Sequence, residues 1–275
     1  MSQPLLALND GHQIPQLGLG TWQTPDTDAA QSVSAALSTG YRLIDTAAVY
    51  ENERGVGQGL IDSGLPREQY FVTTKLWNSR QGHDEAIKAF DESLNRLQLA
   101  YVDLYLIHWP APGQDRYVDS WKALIQLHNE GRARSIGVSN FQIPHLERII
   151  KETGVVPAVN QIELHPDFQQ EELQAFHAKH GILTQSWSPL GQGALLKNGL
   201  VRKIAAKHGK TAAQTVIRWH LDAGLLVIPK SVHAERIQEN FAVFDFKLDA
   251  DDLKQLAALN QPANRVGPHP DTAAF

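Results

Sequence analysis

Apolar positions along this chain change period repeatedly, from short continuous runs to helical spacing and back. Leu43-Ile44, Phe71-Val72, Val102 to Ile107, 135–139, 158–162, 182–186 and Leu225 to Ile228 are brief runs of the kind that form buried strands. Between them, apolar residues recur every three or four positions. In 83–98, for example, Ile87, Phe90, Leu94 and Leu97 fall on one face. A first strand and glycine-flanked exit are read at Gln16-Leu17-Gly18-Leu19-Gly20-Thr21-Trp22. The pattern then predicts helices over 26–39, 51–63, 83–98, 118–130, 142–153 and 170–180, and one that starts at a Thr211/Gln214 capping box and ends at Gly224.

Eight strands result, seven of them preceded by helical segments, and glycine follows six of those helices, at 40, 64, 131, 154, 181 and 224. Glycine tolerates the positive φ that ends a helix. The helix-to-strand turns are therefore tight, whereas the strand-to-helix turns are longer and carry polar and aromatic residues. That asymmetry predicts an α/β fold, a (β/α)8 TIM barrel with its functional groups where the strands end. The alternative is an open doubly wound sheet. Around the barrel the sequence predicts an N-terminal β-hairpin over 5–14, turning at Asn9-Asp10-Gly11. Two extra helices are expected at 199–208 and 249–258, with a last barrel helix near 234–240. A C-terminal segment, 259–275, rich in Pro, Gly, Asn and Asp, reads as either a loop over the barrel mouth or a frayed end. Residues 1–275 read as one domain.

Composition narrows the function classes. A formal charge of −5 gives no basic footprint for nucleic acid and no polybasic membrane patch. The chain has no cysteine, which removes disulfides, thiolate metal sites and a Cys nucleophile. The first residues lack a basic start followed by a long apolar core, so no signal peptide is expected and a cytoplasmic location is.

The candidate chemistry sits at strand ends. Asp45 closes one apolar run, Tyr50 follows five residues later, Lys75 closes the next run and His108 the one after. A phenol is a weak acid, with a pKa of about 10. A neighbouring ammonium favours the phenolate, so Lys75 is expected to lower Tyr50, with Asp45 holding Lys75 charged. His108 can hydrogen-bond a carbonyl and orient it, so the four together can polarise a C=O and protonate the developing alkoxide. Tryptophan is distributed to match: Trp121 and Trp219 lie within helices, but Trp22, Trp77, Trp109 and Trp187 each follow a strand end. A rim of indoles suits a flat cofactor ring and an apolar-walled substrate pocket.

Other motifs carry less. Gly55-Val56-Gly57-Gln58-Gly59 has Leu60 where a dinucleotide loop needs glycine, and it lies inside a helix, so it reads as helix packing. Ile228-Pro229-Lys230-Ser231-Val232-His233, with Arg236 and Asn240 after it, supplies a cation, a hydroxyl and a helix start, which suits an anion or simply a capped helix. His177 and His180 lack an evident third ligand, so no metal is expected. Glu163 and His165 follow a strand and could be ligands or an acid for glycoside cleavage. A glycosidase needs a second carboxylate, however, and the obvious one, Asp45, has Lys75 as its partner.

Taken together, these residues resemble the aldo-keto reductase superfamily. Gly40-Tyr41-Arg42-Leu43-Ile44-Asp45-Thr46-Ala47, Ile136-Gly137-Val138-Ser139-Asn140-Phe141 and Asn160-Gln161-Ile162-Glu163 resemble its signatures, and the likeness runs from Leu17 to Ser231. The resemblance implies NADPH-dependent carbonyl reduction by a monomer acting on a small molecule, 2,5-diketo-D-gluconate to 2-keto-L-gulonate first, with methylglyoxal, a β-keto ester or another short carbonyl compound as the alternative and a non-catalytic NADPH-binding redox sensor as the rival from another class. It implies that Asp45, Tyr50, Lys75 and His108 are the catalytic set, with Tyr50 the acid. It implies that the cofactor contacts Gly20, Thr21, Trp22 and Asp45, that Ser139, Asn140 and Gln161 bind the carboxamide of a nicotinamide, and that Trp187 stacks on its ring. By the same resemblance Ser188, Leu190, Gly191 and Gln192 line the pyrophosphate channel, and Lys230, Ser231, Val232, His233, Arg236, Glu239 and Asn240 hold the adenosine end. The substrate would meet Trp22, Tyr50, Trp77, His108 and Trp109, and Glu163 would be structural. Within the superfamily, Lys75-Leu76-Trp77-Asn78, His108-Trp109-Pro110 and Ser186-Trp187-Ser188-Pro189-Leu190 resemble the bacterial 2,5-diketo-D-gluconate reductases, A-type, whose similar members also reduce methylglyoxal and β-keto esters. His233 stands where relatives often carry Arg. A neutral imidazole holds a phosphate dianion less well, which bears on the margin of NADPH over NADH.

Overall fold

The structure, a computed structural model, describes residues 3–273. The last two residues of the C-terminal segment lie outside that range. Strands β1 (Leu5–Ala7) and β2 (Gln13–Pro15) form the antiparallel hairpin, with Leu6 opposite Ile14. Eight parallel strands follow in one sheet, each hydrogen-bonded to the next in chain order. They are β3 (Leu19–Gly20), β4 (Leu43–Asp45), β5 (Phe71–Leu76), β6 (Val102–Ile107), β7 (Ala133–Ser139), β8 (Val159–Glu163), β9 (Leu183–Trp187) and β10 (Leu226–Val227). The two edges meet. Leu17 bridges to Val227 and Gly20 to Lys230, with Gly18 N–H donating to the Val227 carbonyl at 2.9 Å. Closure leaves no free sheet edge, as the predicted barrel requires.

Each predicted helix is present, with both ends within two residues of the expected positions. The helices between strands are α1 (Asp26–Thr39), α2 (Glu53–Asp62), α3 (His83–Leu97), α4 (Tyr117–Asn129), α5 (Ile143–Thr153), α6 (Glu171–His180) and α8 (Ala212–Asp222). After β10 comes α9 (Ala234–Phe241), and the two additions are α7 (Gly199–Lys207) and α10 (Ala250–Ala257). Of the seven helices between strands, the one without a terminal glycine, α3, ends instead on Gln98 in the left-handed region at φ 57°. Ahead of α2, residues Ala48–Tyr50 form a separate 3-10 turn, so Tyr50 stands on a turn just before the helix, outside it as the expected start at 51 had it.

The glycines of α2 are packing residues. A Cβ on Gly55 would lie 2.1 Å from the Asp26 carbonyl oxygen, one on Gly59 2.5 Å from that of Ala30, and one on Gly57 2.5 Å from that of Leu97. The backbone of α2 therefore rests directly on α1 and on the end of α3, a close approach that only glycine permits.

Side chains on one face of a strand recur every second residue, which builds the barrel interior in layers. The lower layer is apolar: Leu43, Phe71, Leu104, Leu106, Val159, Leu226 and Ile228 pack with Leu8 and Ile14 of the hairpin, which close the base. Two to four positions further along, on β4 to β6, β8 and β9, the inward residues turn polar, to Asp45, Lys75, His108, Gln161 and Gln185, all buried. The change from apolar plug to polar floor is what positions the site. Among the described residues no helix is long and apolar enough to cross a membrane.

Candidate active site

Above the polar floor opens a cavity of about 540 Å³, within the range of small-molecule sites. Asp45, Tyr50 and His108 line it, and Lys75 lies beneath them with no exposed surface. The Lys75 ammonium donates to Asp45 Oδ1 at 2.5 Å and to the Thr46 carbonyl at 2.9 Å, and its Nζ is 3.5 Å from the Tyr50 hydroxyl. Burial alone would strip the proton from Lys75, but the Asp45 carboxylate overrides it and holds the ammonium above its ordinary pKa. Asp45 is itself held by Gln161, whose Nε2 donates to Asp45 Oδ2 at 2.7 Å and to Gln185 Oε1 at 2.7 Å.

Tyr50 corrects one expectation. Its hydroxyl is raised above the ordinary phenol value, because burial outweighs the pull of Lys75 and the Asp45 carboxylate adds to the rise. The sequence shows the ammonium but not the depth of burial. At neutral pH the result is a phenol that keeps its proton and has a cation alongside. His108 is pushed well below its ordinary value, first by burial and then by Lys75, so it is a neutral imidazole. Its ring meets Tyr50 edge-on at 5.6 Å and Trp77 at 5.3 Å, and its Nδ1 has no partner among the described residues. The arrangement can donate one proton to an oxygen at the floor and one hydrogen bond from a neutral ring.

The side wall is an amide and hydroxyl cluster. Ser139 Oγ donates to the Gln161 carbonyl at 2.8 Å, and Asn140 Nδ2 donates to the His108 carbonyl at 2.9 Å and to Ser139 Oγ at 3.1 Å. Asn140 does this from the left-handed region, φ 63°, which asparagine tolerates better than most residues. Its Oδ1 accepts from the Trp187 indole N–H at 2.8 Å. The four strand-end tryptophans all line the cavity, and Trp109 and Trp187 face each other at 6.5 Å. Trp121 and Trp219 are buried packing residues, as their helical positions predicted. Clustered primary-amide partners beside an indole fit a planar ring that carries a carboxamide.

The remaining predicted residues divide. Gly20, Ser188, Gln192 and Lys230 line the cavity, and the Lys230 ammonium donates to the Gln23 carbonyl at 3.2 Å. Thr21 lies behind, its N–H and hydroxyl both on the Asp45 carbonyl at 3.0 Å. Leu190, Gly191, Ser231, Val232, His233, Arg236, Glu239 and Asn240 lie outside the cavity lining, on the segments after β9 and β10. Of these, His233 and Arg236 are exposed, and Glu239 accepts from the Thr211 hydroxyl at 2.7 Å. His177 does not pair with His180. Its ring lies between Asn160 Nδ2 at 2.9 Å and Thr184 Oγ1 at 2.8 Å.

Two features had escaped the sequence reading. Gln185, fully buried, orients Gln161; the signal was its position two residues before Trp187 on the inward face of β9. The other is which residues of the tail take part: of the two alternatives for 259–275 the loop at the mouth holds, and Val266, Gly267 and Pro268 line the cavity, three residues that no local pattern marks.

Comparison with known proteins agrees with this geometry. The model of the Aldo/keto reductase family matches residues 16–261. An aldo-keto reductase of Mycolicibacterium smegmatis is 56% identical over 272 residues, 99% of this chain and 98% of the relative. The methylglyoxal reductase DkgA of Salmonella typhimurium is 54% identical over 274 residues, 98% of each chain. Among solved structures, a Gox0644 mutant in complex with NADPH superposes with a TM-score of 0.97 at 52% identity, covering 100% of both chains.

Proposed function

The chain belongs to the aldo/keto reductase family, and we propose that it reduces short α-dicarbonyl compounds of the methylglyoxal type with NADPH. One observation carries the reading. A half-buried phenol stands against a buried ammonium, itself paired with a buried carboxylate, at the floor of an aromatic-walled cavity, with a neutral imidazole beside the phenol.

When bound, NADPH supplies a hydride to the carbonyl carbon. Tyr50 donates its proton to the carbonyl oxygen, which becomes the alcohol hydroxyl. Lys75 stabilises the phenolate left behind, and Asp45 keeps Lys75 charged and aimed. His108 hydrogen-bonds the carbonyl oxygen and orients it toward Tyr50. Ser139, Asn140 and Gln161 would hold the nicotinamide carboxamide, Trp187 would lie against the ring, and Ser188 and Gln192 would continue toward the pyrophosphate. Lys230 and Arg236 take the 2′-phosphate, with His233 contributing less than an Arg would. The indoles of Trp22, Trp77 and Trp109 exclude water and favour a small, weakly polar substrate.

A second reading is reduction of 2,5-diketo-D-gluconate to 2-keto-L-gulonate. The likeness of His108-Trp109-Pro110 and Ser186-Trp187-Ser188-Pro189-Leu190 to that class supports it, although the one ammonium in the cavity lining, Lys230, is assigned above to the 2′-phosphate. Initial rates with NADPH on methylglyoxal, 2,5-diketo-D-gluconate and a β-keto ester decide between them. We expect the highest kcat/KM with methylglyoxal, and a Tyr50→Phe variant with turnover reduced by about 10² to 10⁴. A diketo acid preferred over methylglyoxal would overturn the first reading in favour of the second. Undiminished turnover without the Tyr50 hydroxyl would remove the assignment of the acid.

A further inference from the structure

Glu163 is a buried carboxylate that the reaction does not use. It ends β8, two residues after Gln161, and is 1% exposed. Both of its oxygens are committed to the tail of the chain. Oε1 accepts from the Val266 N–H at 2.6 Å and Oε2 from the Gly267 N–H at 2.9 Å, two consecutive backbone donors about a hundred residues further along the chain. The carboxylate is itself fixed. His165 Nε2 lies 3.1 Å from Oε1, and His165 Nδ1 lies 2.5 Å from Asp167 Oδ1. Burial raises the Glu163 pKa, but His165 and the two N–H donors more than offset it, so the anion is the resident form.

The same tail is tied along the β8–α6 segment. Gln261 N–H donates to the Asp167 carbonyl at 2.9 Å, Asn264 Nδ2 to the same carbonyl at 3.2 Å, and the Arg265 guanidinium lies over the Phe168 ring at 4.7 Å. Glu163 is the last tie before the chain reaches the cavity. There Gly267 meets Trp187 so closely that a Cβ would sit 2.5 Å from the indole Cη2 and 2.9 Å from Glu163 Oε2. The indole is thus held between the tail and Asn140, which accepts its N–H. One anion anchors a wall of the cavity and, through that wall, the attitude of a ring.

We propose that Glu163 is a positioning residue that sets substrate selectivity: by pinning residues 266–268 against Trp187 it fixes the width of the cavity above Tyr50. The proposal rests on the carbonyl-reductase reading and adds to it. A tie that served stability alone would weaken the fold and leave the ranking of substrates unchanged.

The test is kcat and KM with NADPH for methylglyoxal and for the bulkier phenylglyoxal, in the unmodified protein, Glu163→Ala, Glu163→Gln and Gly267→Ala. Glu163→Ala and Gly267→Ala loosen the same wall from opposite sides. Both should raise KM for methylglyoxal about tenfold, keep kcat within about threefold, and shift the kcat/KM ratio toward phenylglyoxal. Glu163→Gln keeps one acceptor oxygen and should fall between. If Glu163→Ala does not fold, the other two variants carry the same test. An unchanged ratio in both Gly267→Ala and Glu163→Gln overturns the proposal, and so does a collapse of kcat with KM unaltered, which would put Glu163 in the chemistry. Tyr50→Phe assayed alongside keeps the two readings apart. If that variant stays fully active the assignment of the acid fails, whereas an inactive Tyr50→Phe with an unchanged ratio condemns the wall alone.

Discussion

The two ends of the site are built by opposite means. At the floor, Asp45, Lys75, Gln161 and Gln185 are buried and already bonded to one another. At the β10–α9 end, His233 and Arg236 are exposed, and Lys230 reaches only a backbone carbonyl. Proton transfer needs groups fixed in place before a substrate arrives, and burial both fixes them and sharpens their fields. Capture of a phosphate needs charge that can reach out, and solvated cations on long stems supply it at little cost to the fold. On the proposed reading, one ligand is held by two kinds of site, one rigid and one adaptable.

The comparison breaks most visibly at Asp45. Asp45→Asn should leave Lys75 buried with a weaker partner, lower its pKa and cut kcat about 100-fold. The pH profile of kcat reads the shift, and a profile identical to that of the unmodified protein would mean the floor is not an electrostatic unit. Next in size is the support behind the floor. His177, which meets Asn160 and Thr184, is buried neutral with its pKa lowered to about 3 from an ordinary 6.5. A depressed histidine contributes stability that is whole above the unfolded value and declines as pH falls toward the folded one. Urea unfolding should therefore show about 2 kcal/mol less stability at pH 5 than at pH 7 from this residue, and His177→Asn should flatten that slope. The smallest effect belongs to the adaptable end. Arg236→Ala should raise KM for NADPH about tenfold, leave kcat within about twofold and not alter KM for NADH. Equal losses with both cofactors would place Arg236 elsewhere on the ligand.

Much of this contrast can be read along the chain. The barrel is legible because strand and helix periods alternate and because glycine punctuates six of the helix ends; those are local signals. Asp45, Tyr50, Lys75 and His108 are legible because each stands at or just past the end of a run. The hold of Glu163 on Val266 and Gly267 is not, since it joins positions a hundred residues apart through backbone N–H groups that every residue possesses. The direction of the Tyr50 shift is hidden for a related reason. It depends on how much of the molecule surrounds the ring, and burial belongs to the fold and not to a motif. The helix start after Tyr50 was legible, but the 3-10 turn that makes the break between Tyr50 and α2 carries no signal of its own, because such a turn shares most of the local pattern of a helix start.

That break gives α2 a part in the chemistry it never touches. Tyr50 is carried on a short turn that feeds straight into α2, and α2 rides backbone against backbone on α1 and the end of α3 through Gly55, Gly57 and Gly59. A seam of that kind has little slack: what meets the glycines is backbone and the Cβ atoms of Ala29 and Val33, none of which can rotate away. The outer jacket of the molecule therefore acts as a datum surface from which the acid's reach is gauged. A misfit machined into that jacket, far from any ligand, would be transmitted inward as an error in where the proton is delivered.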